Sequence, residues 1–64
     1  MMPYIEIGQY RFKGVARDGE PMSEKIDQIE KLWETGIYSF HAIASKMNLD
    51  TRTVKNVLKA KSMI

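Results

Sequence analysis

Cysteine is absent from the 64-residue chain and histidine occurs once. That excludes a disulfide framework and a thiolate metal site, and it removes the paired His or Cys ligands of a structural zinc. No apolar run approaches the roughly 20 residues that span a bilayer. The N-terminus also lacks the charged-then-apolar layout of a secretory signal. The expected location is therefore the cytoplasm or nucleoid, with no membrane partner. Catalytic sets are missing as well: no glycine-rich phosphate loop, no Ser-His-Asp arrangement and no metal box. His41 is a lone histidine with no carboxylate near it in sequence to orient it as a catalytic base. The pattern argues against an enzyme and implies no catalytic residue, metal or cofactor.

A chain of this length makes one domain, and it buries only about 60% of its unfolded surface. Without covalent staples, stability must come from packing, good caps or a partner subunit. The net charge of +2 argues nothing alone, but its distribution does. Glu24, Asp27, Glu30 and Glu34 face only Lys25 and Lys31 in one segment, whereas Lys46, Arg52, Lys55, Lys59 and Lys61 face Asp50 alone further on. Segregated charge of this kind is the electrostatic footprint of a nucleic-acid binder.

The stretch 40–59, FHAIASKMNLDTRTVKNVLK, organises the rest. Ile43, Ala44 and Met47 recur at helical spacing, as do Val54, Val57 and Leu58. Asn48, Leu49 and Asp50 leave room only for a sharp corner. Asn48 tolerates the left-handed backbone that ends helices. Leu49 is expected to plug the angle between the helices. Asp50 is expected to cap the second helix by accepting from N–H groups near Arg52 and Thr53. Two helices over such a turn form a helix-turn-helix unit.

The order of small residue, apolar residue, turn residue, apolar plug, polar cap and Thr-Val resembles the helix-turn-helix family of DNA-binding proteins. The string IASKMNLDTRTVKNVL is similar to the resolvase, sigma-factor and small-regulator branch. Asn48 stands where many members carry glycine. The resemblance implies a sequence-preferring regulator of bacterial, phage or mobile-element origin, with helix 51–61 in the major groove of double-stranded DNA. It carries base contact onto Thr51, Arg52, Lys55 and Asn56. Arg reads guanine and Asn reads adenine bidentately. Phosphate contact falls to Ser39, Lys46, Thr53 and Lys59, which position the protein without reading sequence.

The remaining segments are read in chain order. Ile5 and Ile7, then Tyr10 and Phe12, alternate with polar or exposed-type neighbours, a period of two that predicts extended structure. Gly8-Gln9 suits the two-residue type II′ turn of a hairpin, with a single bent strand as the alternative. Asp18-Gly19 and Pro21 mark a linker. Ser23 is expected to cap a first helix from Glu24 to Thr35, closed by Gly36. Its apolar stripe is Ile26, Ile29, Leu32 and Trp33, with Trp33 filling the core. Ser39 caps the helix Phe40–Met47. The fold class is thus mainly α, a three-helix helix-turn-helix domain with a short N-terminal β-ribbon. Residues 1–22 form the ribbon and linker and 23–64 the trihelical part of one compact domain.

The ribbon, residues 3–15, has no evident duty in the trihelical core. It is offered as a homodimer interface, as a wing touching DNA through Arg11 and Lys13, or as packing on its own helices. The acidic first helix and the apolar ribbon keep a second function open, a protein-interaction module that binds RNA polymerase or another regulator. A phage packaging or recombination role uses the same module and is not separable from regulation by sequence.

Overall fold

Tyr4–Ile7 (β1) and Tyr10–Lys13 (β2) pair antiparallel in a computed structural model that describes residues 4–64. Pro3, the first residue of the proposed dimer segment, and the two before it lie outside the described residues. Ile5 pairs with Phe12 and Ile7 with Tyr10, so these four share one face, while Tyr4, Glu6, Arg11 and Lys13 share the other. Gly8 has φ +58° and Gln9 has no positive φ, as a type II′ turn requires. A Cβ on Gly8 would meet only Ala60 O at 3.8 Å, so the backbone angle, not space, calls for glycine there.

The ribbon is part of the core, which selects packing on its own helices from the alternatives that the sequence left open. Phe12 is 7% exposed and joins Met22, Ile26, Ile29, Ile43, Ala44, Val54, Val57 and Leu58. Ile5, Ile7 and Tyr10 pack against that cluster. The physical reason is that a two-stranded ribbon is barely stable in water unless its apolar face is covered. Here the chain's own helices cover it.

Helix α1 spans Met22–Glu34 and begins earlier than the expected cap at Ser23. Pro21 occupies the N-cap position with φ −60°, and its side chain makes no cap bond. Pro21 closes an isolated bridge with Val15, and Met22 N donates to Gly14 O at 2.9 Å. That bond and the burial of Met22 fix the start, while Ser23 stays exposed. At the other end Gly36 follows the Thr35 cap with φ +78°.

Helix α2, Phe40–Met47, is capped as expected: Ser39 Oγ accepts from Ala42 N at 3.2 Å. Asn48 takes the left-handed conformation, φ 57° and ψ 46°. Leu49 N donates to Ala44 O at 2.8 Å and Asn48 N to Ser45 O at 3.3 Å, the two bonds of a Schellman closure. Helix α3 runs Thr51–Ala60, with Lys61 as its C-cap rather than its last residue. The same closure recurs there around Ser62, φ 59°, with Met63 N on Leu58 O at 2.8 Å.

Ile29, Ile43, Val54, Val57 and Leu58 are fully buried where the three helices meet. Leu49 and Trp33 are half-buried and pack against this cluster from its edge, Leu49 at the corner between α2 and α3. Trp33 stacks on Phe40 at the edge of the core, ring centroids 5.0 Å apart and 11° from parallel. The architecture is mainly α, a three-helix helix-turn-helix domain with a short N-terminal hairpin. Among the described residues no helix is long and apolar enough to cross a membrane, and no group of three or more His, Cys, Asp or Glu could hold a metal ion.

Candidate nucleic-acid interface

The outer surface of α3 follows from its buried stripe. Val54, Val57 and Leu58 point inward, and the 3.6-residue period turns Arg52, Lys55 and Lys59 to solvent. Thr51, Thr53 and Asn56 are half-buried along the flanks. Arg52, Lys46 and Lys59 make no ion pair among the described residues. Their charge is therefore open to a partner.

Two of the four expected base-contacting residues have internal contacts. Thr51 Oγ1 lies 3.2 Å from His41 Nδ1, which ties the first turn of α3 to that of α2. Lys55 Nζ sits 5.4 Å above the Phe40 ring, extending the Trp33–Phe40 stack. An exposed cation–π contact of this kind is worth only about 0.5–1 kcal/mol. Ser39 and Lys46 lie at opposite ends of α2. Lys61, counted with the basic segment from sequence, instead pairs with Glu30 of α1 at 3.5 Å.

Asp50 occupies the N-cap position of α3, φ −74° and ψ 146°, but its side chain makes no cap bond. The carboxylate turns to the linker, where Arg17 Nη1 lies 3.3 Å from Asp50 Oδ1. Arg17 Nε also donates to Asn48 O at 3.2 Å. A guanidinium offers a fork of donors, so one side chain can serve both oxygens of the turn. Sequence gave Arg17 no role beyond the linker, since a separation of 31 residues leaves no local signal.

Behind the same turn sits Lys25, the one buried charged residue described, 7% exposed. Its Nζ donates to Met47 O at 2.6 Å and to Asp18 Oδ2 at 2.9 Å. Asp18 Oδ1 accepts from Glu20 N at 3.0 Å. The Lys25 hydrogen bond, then that of the Glu20 N–H, hold the Asp18 carboxyl below its ordinary value of 3.8, against an opposing effect of desolvation. Linker, α1 and the α2–α3 corner are thus locked together by charge-assisted bonds.

Between β2, the linker and the start of α3 lies a groove of about 330 Å³. Arg11, Lys13 and Arg17 line one side, with Asp50, Thr53 and Asn56 on the other. Thr53 and Asn56 are thereby brought beside the ribbon, a juxtaposition that helical periodicity alone does not give. Comparison with protein-family models, curated proteins and solved structures finds no match to this chain.

Proposed function

We propose that the protein is a sequence-preferring DNA-binding protein that lays α3 in the major groove, as a small transcriptional regulator does. The observation that carries this reading is the exposed face of α3. Arg52, Lys55 and Lys59 project from a helix whose opposite stripe is fully buried, with Asn56 beside them. A helix held rigidly by its core presents bidentate donors to base edges with its backbone already ordered, leaving only the side chains to be fixed on binding. Arg52 and Asn56, one turn apart, are the proposed base readers, with Thr51 and Lys55 on the same helix. Lys59, Lys46, Thr53 and the Ser39 hydroxyl are assigned to phosphates. Such a protein would associate with the nucleoid. The deciding experiment is selection from a randomised duplex pool, followed by gel shift of the enriched sequence. Enrichment of a defined site with salt-sensitive affinity supports the reading. Recovery of no duplex at any salt concentration refutes it.

A second reading, a protein-interaction module for RNA polymerase or another regulator, is favoured by Ile37. This residue is 80% exposed in the loop before α2, next in sequence to the Trp33 and Phe40 region. Failure of the duplex selection would leave that reading in front.

A homodimer through residues 3–15 would bring two α3 helices to successive major grooves about 34–36 Å apart. The apolar face of the ribbon already serves the chain's own core. A second copy would therefore pair with the unpaired strand edges of the two-stranded sheet. Sedimentation of a monomer at tens of micromolar, with and without DNA, would remove the dimer.

A further inference from the structure

We infer that the groove between β2, the linker and α3 is a second nucleic-acid contact, seating a sugar–phosphate segment of duplex DNA beside the α3 footprint. The inference deepens the DNA-binding reading and rests on it.

Charge is the first reason. Three cations line the groove, Arg11, Lys13 and Arg17, against one carboxylate, Asp50. Arg17 already faces that carboxylate, and Arg11 pairs with Glu6 outside the groove at 3.0 Å. Lys13 has no ion-pair partner among the described residues. Arg11 also lies over the Tyr4 ring, 5.5 Å from its centroid, so the charge left free at the groove is Lys13, with Arg17 held only by an exposed pair.

Shape and lining are the second. About 330 Å³ lies at the low end of ligand pockets, which run roughly 300–1,000 Å³. Val15, 58% exposed, and the half-buried Leu49 offer apolar contact to a sugar ring between the charged groups. Asn56 and Thr53 belong both to this groove and to α3. A strand leaving the face of α3 past Asn56 would enter the groove directly.

Arg17 is the third. Its pair with Asp50 is exposed on both sides, 58% and 71%, so solvent screens it and a phosphate can compete for the guanidinium. Its second bond, to Asn48 O, keeps the side chain at the corner from which α3 starts.

The test is a salt titration of binding to the duplex enriched by the wild-type chain, with a scrambled duplex as comparison. Lys13→Ala and Arg17→Ala should each lower the slope of log affinity against log salt by about 0.9, the loss of one phosphate contact. Preference for the enriched over the scrambled duplex should be unchanged. Lys31→Ala, on the acidic helix α1, should leave both quantities as in wild type. Lys13 has no partner to lose, so its variant keeps the test valid even if Arg17→Ala disturbs the corner. Should both groove variants retain the wild-type slope while Lys59→Ala lowers it, the groove lies outside the footprint and the DNA reading stands. Loss of duplex preference in Lys13→Ala would overturn the assignment to backbone. Absence of duplex binding by the wild-type chain overturns both proposals.

Discussion

The ammonium of Lys25, in the first turn of α1, donates a 2.6 Å hydrogen bond to the carbonyl of Met47, the last residue of α2. The carbonyls at a helix C-terminus lack intrahelical partners and carry the negative end of its dipole. A buried cation there satisfies one of them and fixes the direction in which the chain enters the turn to α3.

Lys25→Met keeps the aliphatic stem but removes the donor. A hydrogen bond to a charged group contributes about 1.5–3 kcal/mol, and a domain this small has little to spare. The variant should lose about 2 kcal/mol in urea unfolding. An unchanged midpoint would mean that the contact adds nothing to the corner.

Stability should also respond to acid through Asp18. Its folded pKa is depressed below 3.8, first by the Lys25 hydrogen bond. The contribution is therefore complete above the unfolded value and is lost as pH falls through the folded one. Thermal melting should weaken on acidification below about pH 4, and Asp18→Asn should flatten the curve in that window. Equal acid sensitivity in wild type and Asp18→Asn would assign the effect to other carboxylates.

Removing the ribbon's anchor should unfold the helices rather than release them. Phe12 is 7% exposed within the core cluster that joins ribbon and helices. Phe12→Ala should cost about 3–5 kcal/mol by the usual scale for a buried aromatic. A helical circular-dichroism melt of the variant is the measurement. Wild-type melting would show that the trihelical part stands alone, and that residues 1–15 are free for other work.

Base readers and phosphate contacts should separate in binding measurements. Arg52→Ala and Asn56→Ala should lower discrimination between the enriched and scrambled duplexes by about 1–3 kcal/mol per lost base contact. Lys59→Ala should weaken both duplexes alike and flatten the salt dependence. If all three substitutions leave affinity untouched, α3 is not a recognition helix.

What the sequence determined by itself is what depends on neighbouring residues. Asn48 takes the left-handed conformation and Ser39 caps α2 because a backbone angle and a short side chain act over one turn. The extended segments of the ribbon and the inward stripe of Val54, Val57 and Leu58 follow from periods of two and 3.6 residues, whereas pairing of the strands decided between a hairpin and one bent strand. Tertiary structure decided which charges are consumed and which remain for a partner. Nothing local distinguishes Lys25, buried on Met47 O and Asp18, from exposed Lys31 on the same helix. Asp50 read as an ordinary cap until folding brought Arg17 to its carboxylate. Phe12 could have faced a second chain or its own helices, and folding chose the helices, because burial depends on which surfaces meet when distant segments fold back. Helix α1 starts at Met22 for the same reason: Gly14 O and the core hold that residue, and both are supplied from outside the helix.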